Sequence, residues 1–109
     1  MFSPYLPGDM KAAYKEMLTV SNTAKLLTAS TYRPASTSGQ PPAVYALVTV
    51  NSNSISWWSS GDTPTSSDGI ITLSCGSFWI AQPDFAKFQM IRAGASDAAV
   101  AVLYFVPVS

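Results

Sequence analysis

From Ala43 onward the chain is written as short apolar runs broken by turn residues about every ten positions, and this punctuation constrains the fold more than any other feature. Residues 43–50 (Ala-Val-Tyr-Ala-Leu-Val-Thr-Val) form a β-branched, apolar strand, and Asn51-Ser52-Asn53 reads as a turn. Ser54 to Trp58 alternates polar with apolar as the next strand, which predicts a hairpin with the first. A long polar connection, residues 59–69, follows. Residues 70–73 and 78–81 flank Ser74-Cys75-Gly76-Ser77 as a second hairpin-like unit. Asp84 is placed to cap a single helical turn over residues 85–88. Residues 89–92 and 98–106 supply the last two strands, joined by Ala93-Gly94-Ala95-Ser96-Asp97. Nothing reads as a strand–helix–strand crossover. The fold class expected is all-β, a single small β-sandwich or jelly-roll-like barrel.

The first forty residues are less regular. Pro4, Pro7 and Gly8 interrupt Phe2, Tyr5 and Leu6, so residues 1–13 read as an irregular N-terminal arm and residues 14–109 as the sandwich domain. Bulky apolar groups on such an arm suit docking on a neighbouring chain or folding back on their own domain. Residues 10–20 contain good helix formers, which admits a short helix, but Glu16 to Val20 leans towards a strand. Residues 24–29 admit another short extended piece. Arg33-Pro34, Ser36-Thr37-Ser38-Gly39 and Pro41-Pro42 make residues 32–42 a loop.

The final strand places Ala98, Val100, Val102, Tyr104 and Val106 on one face and Ala99, Ala101, Leu103 and Phe105 on the other. A strand of a solvated antiparallel sheet alternates apolar with polar instead. Both faces of this strand, and of residues 43–50, therefore call for cover, from another subunit or from the chain's own loops and arm. Composition bears on the same point. Charged residues are 11% of the chain, against about 25% in an ordinary soluble domain. Low charge with an ordinary apolar load indicates a surface that is partly covered in the working state, or else an exterior that is merely rich in Ser and Thr.

Six basic residues balance six acidic ones, so no net field draws in nucleic acid or an anionic membrane. No segment reaches the ~18 apolar residues of a membrane span, and the start lacks a signal-peptide pattern. The chain has no His, which removes the commonest general base and metal ligand and any Ser-His-Asp or Cys-His arrangement within one chain. The lone Cys75 sits in a turn and reads as structural. Asp9, Glu16, Asp62, Asp68, Asp84 and Asp97 are scattered through turns, at no spacing that makes a glycosidase pair or a calcium loop. We expect no enzyme, no cofactor and no metal. Trp57, Trp58 and Trp79 are the residues to watch. Core packing is the plain reading of Trp57 and Trp79. Trp58 points to the opposite face from Trp57, where burial and a role as an interface or sugar-binding platform are both open.

The stretch from Ser21 to Tyr104 resembles a family of small structural proteins of tailed bacteriophages. The resemblance rests on Ser21-Asn22-Thr23-Ala24 with Leu27-Thr28, then Ala46-Leu47-Val48-Thr49-Val50, then Gly61-Asp62-Thr63-Pro64-Thr65 followed by Gly69-Ile70. It continues with Leu73 and Gly76-Ser77, then Phe88-Gln89-Met90-Ile91-Arg92-Ala93 and Leu103-Tyr104-Phe105. Cys75 before Gly76, and Ser77 where the pattern has Asp, depart from it. The resemblance implies a non-enzymatic virion component assembled in the host cytoplasm. The role it favours is a capsid decoration or cement protein bound to the major capsid protein, with a trimer as the expected oligomer. The contacts expected are Phe2, Tyr5 and Leu6 of the arm, with Trp58 and Phe105. A neck, tail or fibre-base component and a carbohydrate-binding module are the alternatives.

Overall fold

The computed structural model describes residues 10–108 and holds eight strands in two antiparallel sheets. Sheet A contains β1 (Met10–Val20), β8 (Ala98–Pro107), β3 (Tyr45–Ser52) and β6 (Ser77–Ala81), side by side in that order. Sheet B contains β2 (Lys25–Leu26), β7 (Gln89–Arg92), β4 (Ile55–Trp58) and β5 (Ile70–Thr72), again in that order. This order, 1-8-3-6 over 2-7-4-5, is that of an eight-stranded jelly roll. The expected all-β sandwich is therefore what the chain forms.

The core lies where the inner faces meet, and period-two patterning builds it. Leu18 and Val20 of β1, Ala46, Val48 and Val50 of β3, and Val100, Val102 and Tyr104 of β8 all point inward and are buried. Ile55, Met90 and Phe88 answer them from the sheet B side. Each of these valines removes roughly 1.5 kcal/mol worth of apolar surface from water. One end of the sandwich is closed by an aromatic cluster. Phe85 lies 4.9 Å from Tyr32 and 5.8 Å from Tyr104, measured between ring centroids. A short helix, α1 (Ala29–Tyr32), delivers Tyr32 to that cluster.

Several local expectations are corrected. The strand expected over Glu16–Val20 is present and extends back to Met10, because β8 pairs with residues 10–20 from Met10–Pro107 to Val20–Ala98, with a bulge between Ala12 and Tyr14. Residues 10–13, assigned to the arm from sequence, thus belong to the sheet. Neither expected hairpin forms. β3 and β4 lie in different sheets, and so do β5 and β6. Both sides of β3 are already taken by β8 and β6, so the chain leaves through Asn53, in a left-handed conformation (φ 61°), and crosses to the other layer. The turn at Cys75 (φ 73°) crosses back, and the Cys75 amide donates to the Val50 carbonyl at 2.7 Å. The helical turn after β6 begins earlier than expected, at Gln82, and continues to Phe88. No side chain caps it; Asp84 instead pairs with Lys87 at 3.6 Å.

Four of the connections that cross between layers join strands at matching places in the two orders: β1 with β2, β3 with β4, β5 with β6, and β7 with β8. The connections β2–β3 and β6–β7 cross and shift along the sheet as well. One flank of the sandwich is therefore bordered by β1 and β2, and the opposite flank by β5 and β6.

Candidate interaction surface

The long connection 59–69 lies over the outer face of sheet B. Gln89 of β7 holds it, donating from Nε2 to the Gly61 carbonyl at 3.1 Å and accepting from the Thr63 hydroxyl at 3.4 Å. Pro64 is fully buried beneath the strap, and Thr65 and Asp68 close a turn through paired backbone bonds. The strap returns over Ser56, which is 0% exposed and whose hydroxyl has no partner. Gly69 makes that approach possible, since a Cβ there would fall 2.2 Å from Ser56 Oγ and 3.1 Å from the Trp57 nitrogen. Trp58 stands half-buried on this strapped face.

The outer face of sheet A carries no such strap among the described residues. Lys15, Met17 and Thr19 of β1, Ala99, Ala101 and Leu103 of β8, and Tyr45, Leu47 and Thr49 of β3 lie on it, by the register of the three strands. Met17 is 66% exposed and Leu103 36%. Between them runs a shallow apolar groove floored by Leu47, Thr49 and Ala101, with Lys15 at its rim. The partner surface of a β-sandwich core looks like this: apolar, flat and of small-to-medium side chains.

Of the residues expected to make contacts, Phe2, Tyr5 and Leu6 lie outside the described residues. Phe105 is on the outer side of sheet A, yet it is only 4% exposed, with its ring centroid 5.2 Å from that of Trp79. The alternation along the last strand placed Phe105 on the correct face. It did not reveal that the exposed residue of that row is Leu103. Met17 was missed because it sat in the stretch whose structure was ambiguous. Trp57 packs on the core as expected: it stacks on Phe78 with centroids 4.2 Å apart and donates from Nε1 to the Thr72 hydroxyl at 3.0 Å.

One titratable pair sits inside. The Tyr104 hydroxyl donates to the Glu16 carboxylate, which also accepts from the Thr28 amide at 3.2 Å. Burial, and then the neighbouring carboxylate, push the Tyr104 phenol well above its ordinary range. The bond ties β1 to β8 and to the start of α1. The pair thereby holds that flank together. Among the described residues, no three His, Cys, Asp or Glu side chains are grouped so as to hold a metal ion. No described helix is long and apolar enough to cross a membrane. The chain matches no protein-family model, no curated protein and no solved structure.

Proposed function

We propose that the protein is a structural component of a tailed-bacteriophage particle, a decoration or cement protein that seats the bare outer face of sheet A on the head shell. The observation that carries the reading is that face: apolar across three strands, open at Met17 and Leu103, and with no acidic residue in its outward rows. Its apolar surface gains free energy when water leaves it, at roughly 25 cal/mol per Å². The low charge of the whole chain supports the same role, because a cement protein is covered in its working state. Modest contacts suffice, since symmetric copies on a shell multiply each one. The jelly-roll strand order is shared with viral capsid domains, a likeness of architecture alone.

The test is the protein's copy number and position in purified particles, read by quantitative gel and cryo-electron microscopy. Hundreds of copies spread over the head are expected, with Met17→Lys and Leu103→Lys variants losing occupancy while remaining folded. About a dozen copies at one vertex would move the protein to the neck or tail. Absence from the particle would overturn the reading and return attention to a glycan ligand.

A further inference from the structure

A pocket of about 360 Å³ opens where the tip of the strap meets two turns at one end of sheet B, the turn after β1 and the turn between β7 and β8. Ile91 and Pro64 supply its apolar side, and Asn22, Ser66 and Arg92 its polar side. It shares no residue with the sheet A groove, and Trp58 is not part of it. Each wall is pinned by hydrogen bonds. The Arg92 amide donates to the Ser21 carbonyl at 2.9 Å and fixes the first turn against β7. Asn53 holds the second turn, donating from Nδ2 to the Asp97 carbonyl at 2.8 Å. The backbone pair between Thr65 and Asp68 closes the strap tip. The pocket is thus formed before any ligand arrives, which spares it the ordering cost of binding.

Its polar groups are largely uncommitted. Arg92 spends one N–H, from Nη1 to the Asp97 carboxylate at 2.7 Å, out of the five that a guanidinium carries. Among the described residues, the Asn22 amide side chain and the Ser66 hydroxyl make no hydrogen bond. Gly94 also lines the pocket, and neither backbone nor packing calls for a glycine there. Its φ is not left-handed, and a Cβ on it would meet nothing within 4 Å. The missing side chain leaves the mouth of the pocket open.

We propose that this pocket binds a neutral sugar, one or two rings of a glycan. Arg92 and Asp97 hold a donor and an acceptor side by side, which two neighbouring hydroxyls of a pyranose satisfy together. Asn22 offers both kinds of group on one amide, and Ile91 gives the C–H face of the ring an apolar surface. Charge decides the class. A lone guanidinium would suit a carboxylate or phosphate, but Asp97 cancels its charge and repels an anion. A cation would meet Arg92. The volume lies at the small end of ligand sites, which run from about 300 Å³ upward, so the ligand is short and a Kd of about 1 mM is expected. The inference does not depend on what the sheet A face serves.

Nitrogen-15 NMR titration of the full chain tests it, with neutral methyl glycosides (glucoside, galactoside, mannoside and N-acetylglucosaminide) at up to about 50 mM. At least one glycoside is expected to give saturable shifts at the amides of Asn22, Ser66, Arg92 and Gly94, where inorganic phosphate gives none. Gly94→Leu closes the mouth and should weaken binding at least about tenfold, with Tm and circular dichroism as in wild type. Gly94→Ala, the milder change, should fall between the two. Four outcomes would overturn the proposal: no saturable response to any of the four glycosides, shifts centred on Trp58 instead, phosphate bound as well as sugar, or binding that survives Gly94→Leu.

Discussion

The outer faces of sheets A and B both carry apolar residues, but the chain itself covers only the face of sheet B among the described residues. An eleven-residue connection, 59–69, is spent on sheet B, where it buries Pro64 and seals Ser56. On sheet A the corresponding rows end at Met17 and Leu103 in the open. In the role proposed above, the sheet A face takes its cover from the head shell instead.

The sharpest way to break the comparison is Gly69→Val. Its branched side chain would collide with Ser56 and the Trp57 backbone and lift the strap, so we expect a loss of about 3 kcal/mol. Calorimetry would read this as a drop of roughly 4–8 °C in Tm per kcal/mol. An unchanged Tm would mean the strap is not seated and the two faces differ less than described. Next is Tyr104→Phe, which bears on the core that both faces share. It leaves the Glu16 carboxylate with the Thr28 amide alone and is expected to cost about 2 kcal/mol. The pH dependence has a definite sign. The phenol's folded pKa is raised, so its contribution is intact below the unfolded value of about 10 and is lost as pH rises above it. Wild type should therefore lose Tm at alkaline pH more steeply than Tyr104→Phe in parallel melts. Equal slopes would dismiss the buried phenol as the cause.

Ser56→Ala acts in the opposite direction. It deletes a buried hydroxyl that has no partner, so it should stabilise by about 1 kcal/mol in urea titration. Destabilisation would reveal a partner for the hydroxyl and a wetter strap. Smallest of all is Met17→Lys on the bare face, expected within about 0.5 kcal/mol of wild type in the same titration. A cost several times larger would mean that the face is already covered in the isolated chain.

Much of the strand pattern is legible in the sequence because it is local. Residues 43–50 and 98–106 alternate with a period of two and map onto β3 and β8 with shifts of one or two residues. The layer in which each strand lies is not local. Asn51-Ser52-Asn53 and Ser74-Cys75-Gly76 are ordinary turn sequences, and turn chemistry alone does not state whether the next strand pairs with its predecessor or crosses the core. Partners distant in sequence decide it, as β8 does for β1 and β3. The N-terminal half of β1 was masked by its helix-forming residues, whose weak preference yields to pairing with β8. The interaction surface was half legible: the two-sided strand pointed to a covered face, but the exposed residues on it emerged only from the register.

The position of β8 also bears on how the molecule is made. It sits between β1 and β3, is the last of the eight described strands in sequence, and joins strands that are otherwise not neighbours. Until β8 has left the ribosome, β1 has no partner in its own sheet, and the inner rows of β1 and β3 remain without the strand that sets their spacing. Such long loop closures come before any reward from pairing, so folding falls in the slow, millisecond-to-second range of sandwich domains. Synthesis thus delivers the joining strand after the other seven, and sheet A closes only then.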